Sequence, residues 1–128
     1  MTIEEELTMF LNKIETFDKD AAQDGNALHC YLIELTNIAA RANYLMAELR
    51  RNFRVSKKDA YLKLKESSFN SDKFFTPSLS KDFIDSCCSK TGYLYDLAER
   101  LSRTAVHTID AIRTIISSLK AERQYSQF

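Results

Sequence analysis

Arg50, Arg51, Arg54, Lys57 and Lys58 place five positive charges within nine residues, and Tyr44 and Tyr61 bracket them. Guanidinium forks and ammonium groups take phosphate oxygens, and a tyrosine ring can stack on a base. A second set lies later in the chain: Arg113, Ser117 and Lys120 stand at i, i+4 and i+7, on one side of a helix beside its apolar stripe. A guanidinium, a hydroxyl and an ammonium in that line can meet an anion at a seam between protomers. The competing reading is structural for both sets, with the charges setting helix pairing and the trio flanking a coiled-coil seam.

Other chemistry is thin. His29 and Cys30 suggest a metal site with Cys87 and Cys88, but antiparallel pairing puts position 30 opposite about 115, so no metal is expected. His107 has only Asp110 nearby to orient it and no adjacent nucleophile, which reads as a solvated or core-edge histidine. A glycine-rich phosphate loop, G-x-S-x-G and H-E-x-x-H are all missing, so neither enzyme activity nor a cofactor is expected.

The elements that must carry these residues are helical. With 128 residues, 2 Gly and 1 Pro, the chain has too few turn-makers for a sandwich or barrel, and 45% hydrophobic content is too high for a disordered tail. One domain, residues 1–128, is expected. Thr2 and Glu5 form a capping box ahead of Ile3, Leu7, Phe10, Leu11, Ile14 and Phe17, predicting a first helix from 3 to about 22. Gly25 at positive φ and Asn26 as cap then start a second helix over about 27–68, with a kink possible near Val55 before Ser56 and Asp59. Thr76-Pro77 is a strong start for a third helix over about 77–124, weakened at Gly92.

Two helices of about 40 residues are each about 60 Å long, and a short loop makes them an antiparallel hairpin. With the turn near Asp72, position i faces roughly 145 − i. So slender a rod leaves Val106, Ile109 and Ile115 without partners, which predicts an oligomeric helical bundle.

Three cysteines with no C-x-x-C spacing argue for a reducing compartment, and the acidic start, Glu4-Glu5-Glu6, is unlike a signal peptide. No apolar run is long enough for a membrane span. The expected setting is the cytoplasm. The 18 basic and 18 acidic residues give zero net charge through opposed blocks: −6 over residues 1–40, +6 over 41–65, −3 over 66–99 and +3 over 100–128. In the hairpin Arg50 and Arg51 should lie near Asp96 and Glu99, with Arg100 and Arg103 facing Glu34 or the first helix.

The stretch Tyr93-Leu94-Tyr95-Asp96-Leu97-Ala98-Glu99-Arg100-Leu101, with His107-Thr108-Ile109-Asp110 and Arg113 to Lys120, resembles a group of small, mostly uncharacterised helical accessory proteins of tailed phages and prophages. The similarity lies mainly in residues 93–120 and extends into Tyr44 to Lys65. It implies a phage or prophage origin, a bacterial host cytoplasm, and a small role near recombination or anti-defence genes; no catalytic residue comes with it. Three functions follow as expectations. The first is an oligomer that sequesters a phosphate-bearing ligand, such as a nucleotide signal of host defence. The second is a single-stranded nucleic-acid accessory protein of phage recombination. The third is a helical module that blocks another protein.

Overall fold

The structure, a computed structural model, describes residues 1–17, 24–70 and 76–126. They form four helices and no strand: α1 (Ile3–Glu15), α2 (Gly25–Asn70), α3 (Pro77–Cys87) and α4 (Ser89–Ser126). The protein is all-α. Among the described residues, no helix is long and apolar enough to cross a membrane.

The capping box at Thr2 is present: the Glu5 amide donates to Thr2 Oγ1 at 3.1 Å, and the Thr2 amide to Glu5 Oε2 at 3.2 Å. Apolar spacing predicts a helix to about Ala22, yet α1 stops at Glu15. The Thr16 amide and hydroxyl both donate to the Asn12 carbonyl, at 2.9 and 2.7 Å, closing the last turn. Phe17 then leaves the helix and stacks on Tyr31 of α2, with ring centroids 3.7 Å apart. The rest of the expected helix, from 18 onward, lies outside the described residues.

α2 starts earlier than expected and by a different device. Asp24 Oδ1 accepts the Asn26 amide at 3.0 Å, so Asp24 is the cap and Asn26 belongs to the helix. A carboxylate at the positive end of a helix gains from the dipole as well as from the hydrogen bond. Gly25 is the first helical residue and does not take positive φ. No kink divides α2 at Val55; its 46 residues are continuous because the inner stripe is. Leu28, Tyr31, Leu35, Ile38, Ala42, Leu45 and Leu49 are buried, half-buried Phe53 and Ser56 carry the line on, and Ala60 and Leu64 complete it.

The helix expected over 77–124 is two. α3 begins at Thr76 and Pro77 as predicted, with the Leu79 amide on Thr76 Oγ1 at 3.2 Å. It ends at Cys88, whose amide still reaches the Ile84 carbonyl at 3.0 Å. Cys88 is buried while Cys87 is exposed. Burial raises the Cys88 thiol pKa.

Gly92 does not break the chain; it lets two helices approach. A Cβ there would run into Phe53 Cε2 and come within 3.2 Å of Phe53 Cδ2. Other α2–α4 contacts join Asn43 to Ser102 (Oγ to Oδ1, 2.7 Å) and Arg50 to Tyr95 (Nε to Oη, 3.2 Å). Partner numbers fall as position rises, as they do between antiparallel helices.

The core runs between these helices, with Leu7 and Ile14 of α1 closing one end over Ala98, Leu101, Ala105, Ile112 and Ile116 of α4. Of the three apolar residues expected to lack partners, Ile109 packs against this core, whereas Val106 and Ile115 stay 47% and 36% exposed. Two ion pairs tie α1 to α2: Arg41 with Glu6 at 2.8 Å and Lys13 with Glu34 at 3.6 Å.

Candidate functional site

The five cations of α2 divide between two faces. At 3.6 residues per turn, Arg50, Arg54, Lys57 and Tyr61 stand at i, i+4, i+7 and i+11, one row along the helix beside the α4 seam. Arg51 and Lys58 fall farther round, in line with Val55 and Leu62 on the outer side. All are exposed.

Arg50, alone of the row, lines a shallow groove of about 360 Å³ between α2 and α4, where Met46 and Val106 supply apolar surface, Arg50, Arg103 and His107 nitrogen donors, Ser102 a hydroxyl and Glu99 a carboxylate. Its floor is Tyr95. The Arg50 guanidinium donates to the Tyr95 hydroxyl and also lies 5.6 Å from the ring centroid. Arg50 is thereby held in place with its remaining N–H groups available, the arrangement that suits a phosphate. Lys57 is steadied by Phe53, its Nζ 4.2 Å from that ring's centroid.

Arg50 shares the groove with Glu99, as the register expects, but among the described residues no ion pair joins Arg50 or Arg51 to Asp96 or Glu99. Glu99 is taken by Arg103 of its own helix at 2.6 Å, because i,i+4 spacing already brings the two together. Glu34 goes to Lys13 and Glu6 to Arg41, so Arg103 does not face the first helix either. Among the described residues, Arg51, Arg54 and Lys58 have no ion-pair partner.

Tyr44 does not bracket the basic row. It lies under Arg41, whose guanidinium carbon is 5.4 Å from the ring centroid, on the outer side of α2. Tyr95 takes the place expected of it. Sequence reasoning passed over Tyr95, although the 145 − i register sets 95 opposite 50.

Arg113, Ser117 and Lys120 are exposed on α4. Arg113 stands 18 residues beyond Tyr95, about 27 Å along the helix axis, so one protomer does not join the trio to the Arg50 groove. Lys120 alone of the three lines a separate cleft of about 230 Å³, beside His29 and the start of α2 at Asp24. His107 has no hydrogen bond to Asp110. Among the described residues, no three His, Cys, Asp or Glu side chains gather as a metal ion would need.

Fold and groove together define an all-α protein with a shallow groove lined by Arg50, Tyr95, Glu99, Arg103 and His107. The chain matches no protein-family model, no curated protein and no solved structure.

Proposed function

We propose that this chain is a non-enzymatic accessory protein of phage or prophage origin that acts in the bacterial cytoplasm as an oligomer of helical hairpins. It binds and sequesters a small phosphate-bearing ligand, such as a nucleotide signal of host defence. The observation that supports this most directly is the row Arg50, Arg54, Lys57 and Tyr61 beside the Tyr95 groove, whose three cations lack a carboxylate partner among the described residues. Arg50 meets one phosphate oxygen, Arg54 and Lys57 the next, and Met46, Val106 and Tyr95 offer a surface for a base. A neighbouring protomer closes the groove, and Arg113, Ser117 and Lys120 of that neighbour supply further contacts.

A second reading is single-stranded nucleic-acid binding. It is favoured by the length of the row, about 16 Å over eleven residues, which accommodates more than one phosphate.

Titration with cyclic nucleotides and with a labelled oligonucleotide, each at two salt concentrations, separates the two. Tight nucleotide binding that survives moderate salt supports sequestration. Oligonucleotide binding that collapses with salt supports the second reading. If neither ligand raises thermal stability, both fall and a protein-blocking helical module remains.

A further inference from the structure

The far end of α2 is built more thinly than the rest. α1 meets α2 at Tyr31, Glu34 and Arg41, through Phe17, Lys13 and Glu6. α4 keeps one register along α2, with Ser102 at Asn43, Tyr95 at Arg50 and Gly92 at Phe53. In that register Ser89, where α4 begins, stands opposite position 56. Past that point the short helix α3 lies on α2. Lys57 is close enough to Cys88 to act on its thiol electrostatically, as the same register requires.

The contact that holds α3 is small. None of its side chains from Pro77 to Cys87 is fully buried. Ser80, Phe83 and Ile84 are half-buried, on one narrow stripe that ends at buried Cys88. Ala60 and Leu64 of α2 are buried too, and with Cys88 they stand apart from the core that joins α1, α2 and α4. A helix of 11 residues is not stable alone in water, so α3 depends on this contact for its helical form.

The joint with α4 is a single residue. Cys88 sits between the two helices at φ −104° and ψ 11°, off helical values. Its carbonyl accepts the Gly92 amide at 2.8 Å and the Thr91 hydroxyl at 3.2 Å, which fixes Cys88 to the first turn of α4. One end of α3 is therefore anchored, and its length rests on a narrow stripe.

We propose that α3 is a hinged strap. It releases from α2 as a unit, pivoting at Cys88 while the main core stays folded, and uncovers Ala60, Leu64 and the Cys88 thiol. Local opening of this kind is drawn from the parts of a fold with the least buried apolar contact. The proposal does not involve the Arg50 groove, so it fails or survives apart from the function proposed above.

The buried thiol reports the opening. In a Cys30→Ser, Cys87→Ser protein, Cys88 is the one thiol left, and it is 3% exposed. It should react with a small aromatic disulfide under native conditions. The rate should rise with urea far less steeply than global unfolding, because releasing α3 exposes little surface. The α3 amides should exchange with deuterium at the same shallow slope, since released α3 loses its helix.

Two substitutions separate strap from core. Ile84→Ala should speed Cys88 modification about tenfold. Ile112→Val, in the main core, should lower global stability and leave the Cys88 rate unchanged, because strap-closed and strap-open forms lose that contact equally. A thiol that reacts only as fast as the whole protein unfolds, at every urea concentration, overturns the proposal. So does a Cys88 rate that follows Ile112→Val, or a thiol that reacts while the α3 amides stay protected.

Discussion

The inner and outer faces of α2 have the same kind of residue at the same kind of spacing and opposite surroundings. Leu28, Leu35, Leu45 and Leu49 are shut away against α4 and α1, while Ile33, Tyr44, Val55 and Leu62 stand in water on the far side. A period of 3.6 residues says that a line of apolar groups exists and is silent on what covers it. Of the two lines on this helix, the chain folds its other helices over only one.

The sharpest way to break that comparison is to truncate both faces. Leu49→Ala, on the inner face, should cost about 2–4 kcal/mol in chemical denaturation, because the residue is almost wholly enclosed and leaves a cavity. Val55→Ser, on the outer face, should change the stability of the isolated protomer by less than about 0.5 kcal/mol. Equal losses at the two sites would mean that the outer face is covered within one protomer.

A smaller effect tests how tightly the inner seam is drawn. Gly92→Ala should destabilise the protein by about 1 kcal/mol or more, although alanine is the better helix former, because the added methyl displaces the Phe53 ring. Adding Phe53→Leu should return part of the loss. A stabilised Gly92→Ala protein would show that Phe53 is free to move.

Weaker still is the tie between α1 and α2. The Arg41 guanidinium, hydrogen-bonded to Glu6, holds the Glu6 carboxyl below the ordinary glutamate range. A depressed folded pKa means stabilisation that is complete above the unfolded value and disappears as pH falls through the folded one. Acid titration of thermal stability should therefore show a modest loss below the ordinary glutamate range. Glu6→Gln should remove that component while leaving the neutral-pH fold in place. The pair is exposed enough for solvent to keep the effect small.

The least effect is expected at Tyr31, buried under Phe17 with a hydroxyl that has no hydrogen-bond partner among the described residues. Tyr31→Phe should be neutral or slightly stabilising in a thermal melt, since it removes a polar atom whose desolvation is not repaid.

Much of the helical order was legible in the residues. Thr2 with Glu5 and Thr76 with Pro77 act locally, within one turn, and both caps form as read. The errors came where a local rule had two solutions. Asp24, Gly25 and Asn26 can all start a helix, and the carboxylate took the cap. Thr16 closed α1 early because its amide and hydroxyl share one carbonyl. Gly92, read as a weakness by propensity, is a contact, and the actual break falls at Cys88. In the site, the cluster of cations around Arg50 was legible, but Tyr95, which Arg50 meets, lies 45 residues away and enters only through helix pairing.

Composition and short-range spacing by themselves determined an all-α chain, two of its starts and the apolar lines along its helices, because caps and periodicity are properties of a few consecutive residues. Only the tertiary structure decided which apolar line is interior. It also decided that Glu99 goes to Arg103 rather than to Arg50, and that the basic row of α2 divides between a groove and an outer face. Burial and charge pairing are settled by which neighbour arrives, and a helix with two equivalent faces does not carry that choice in its own sequence.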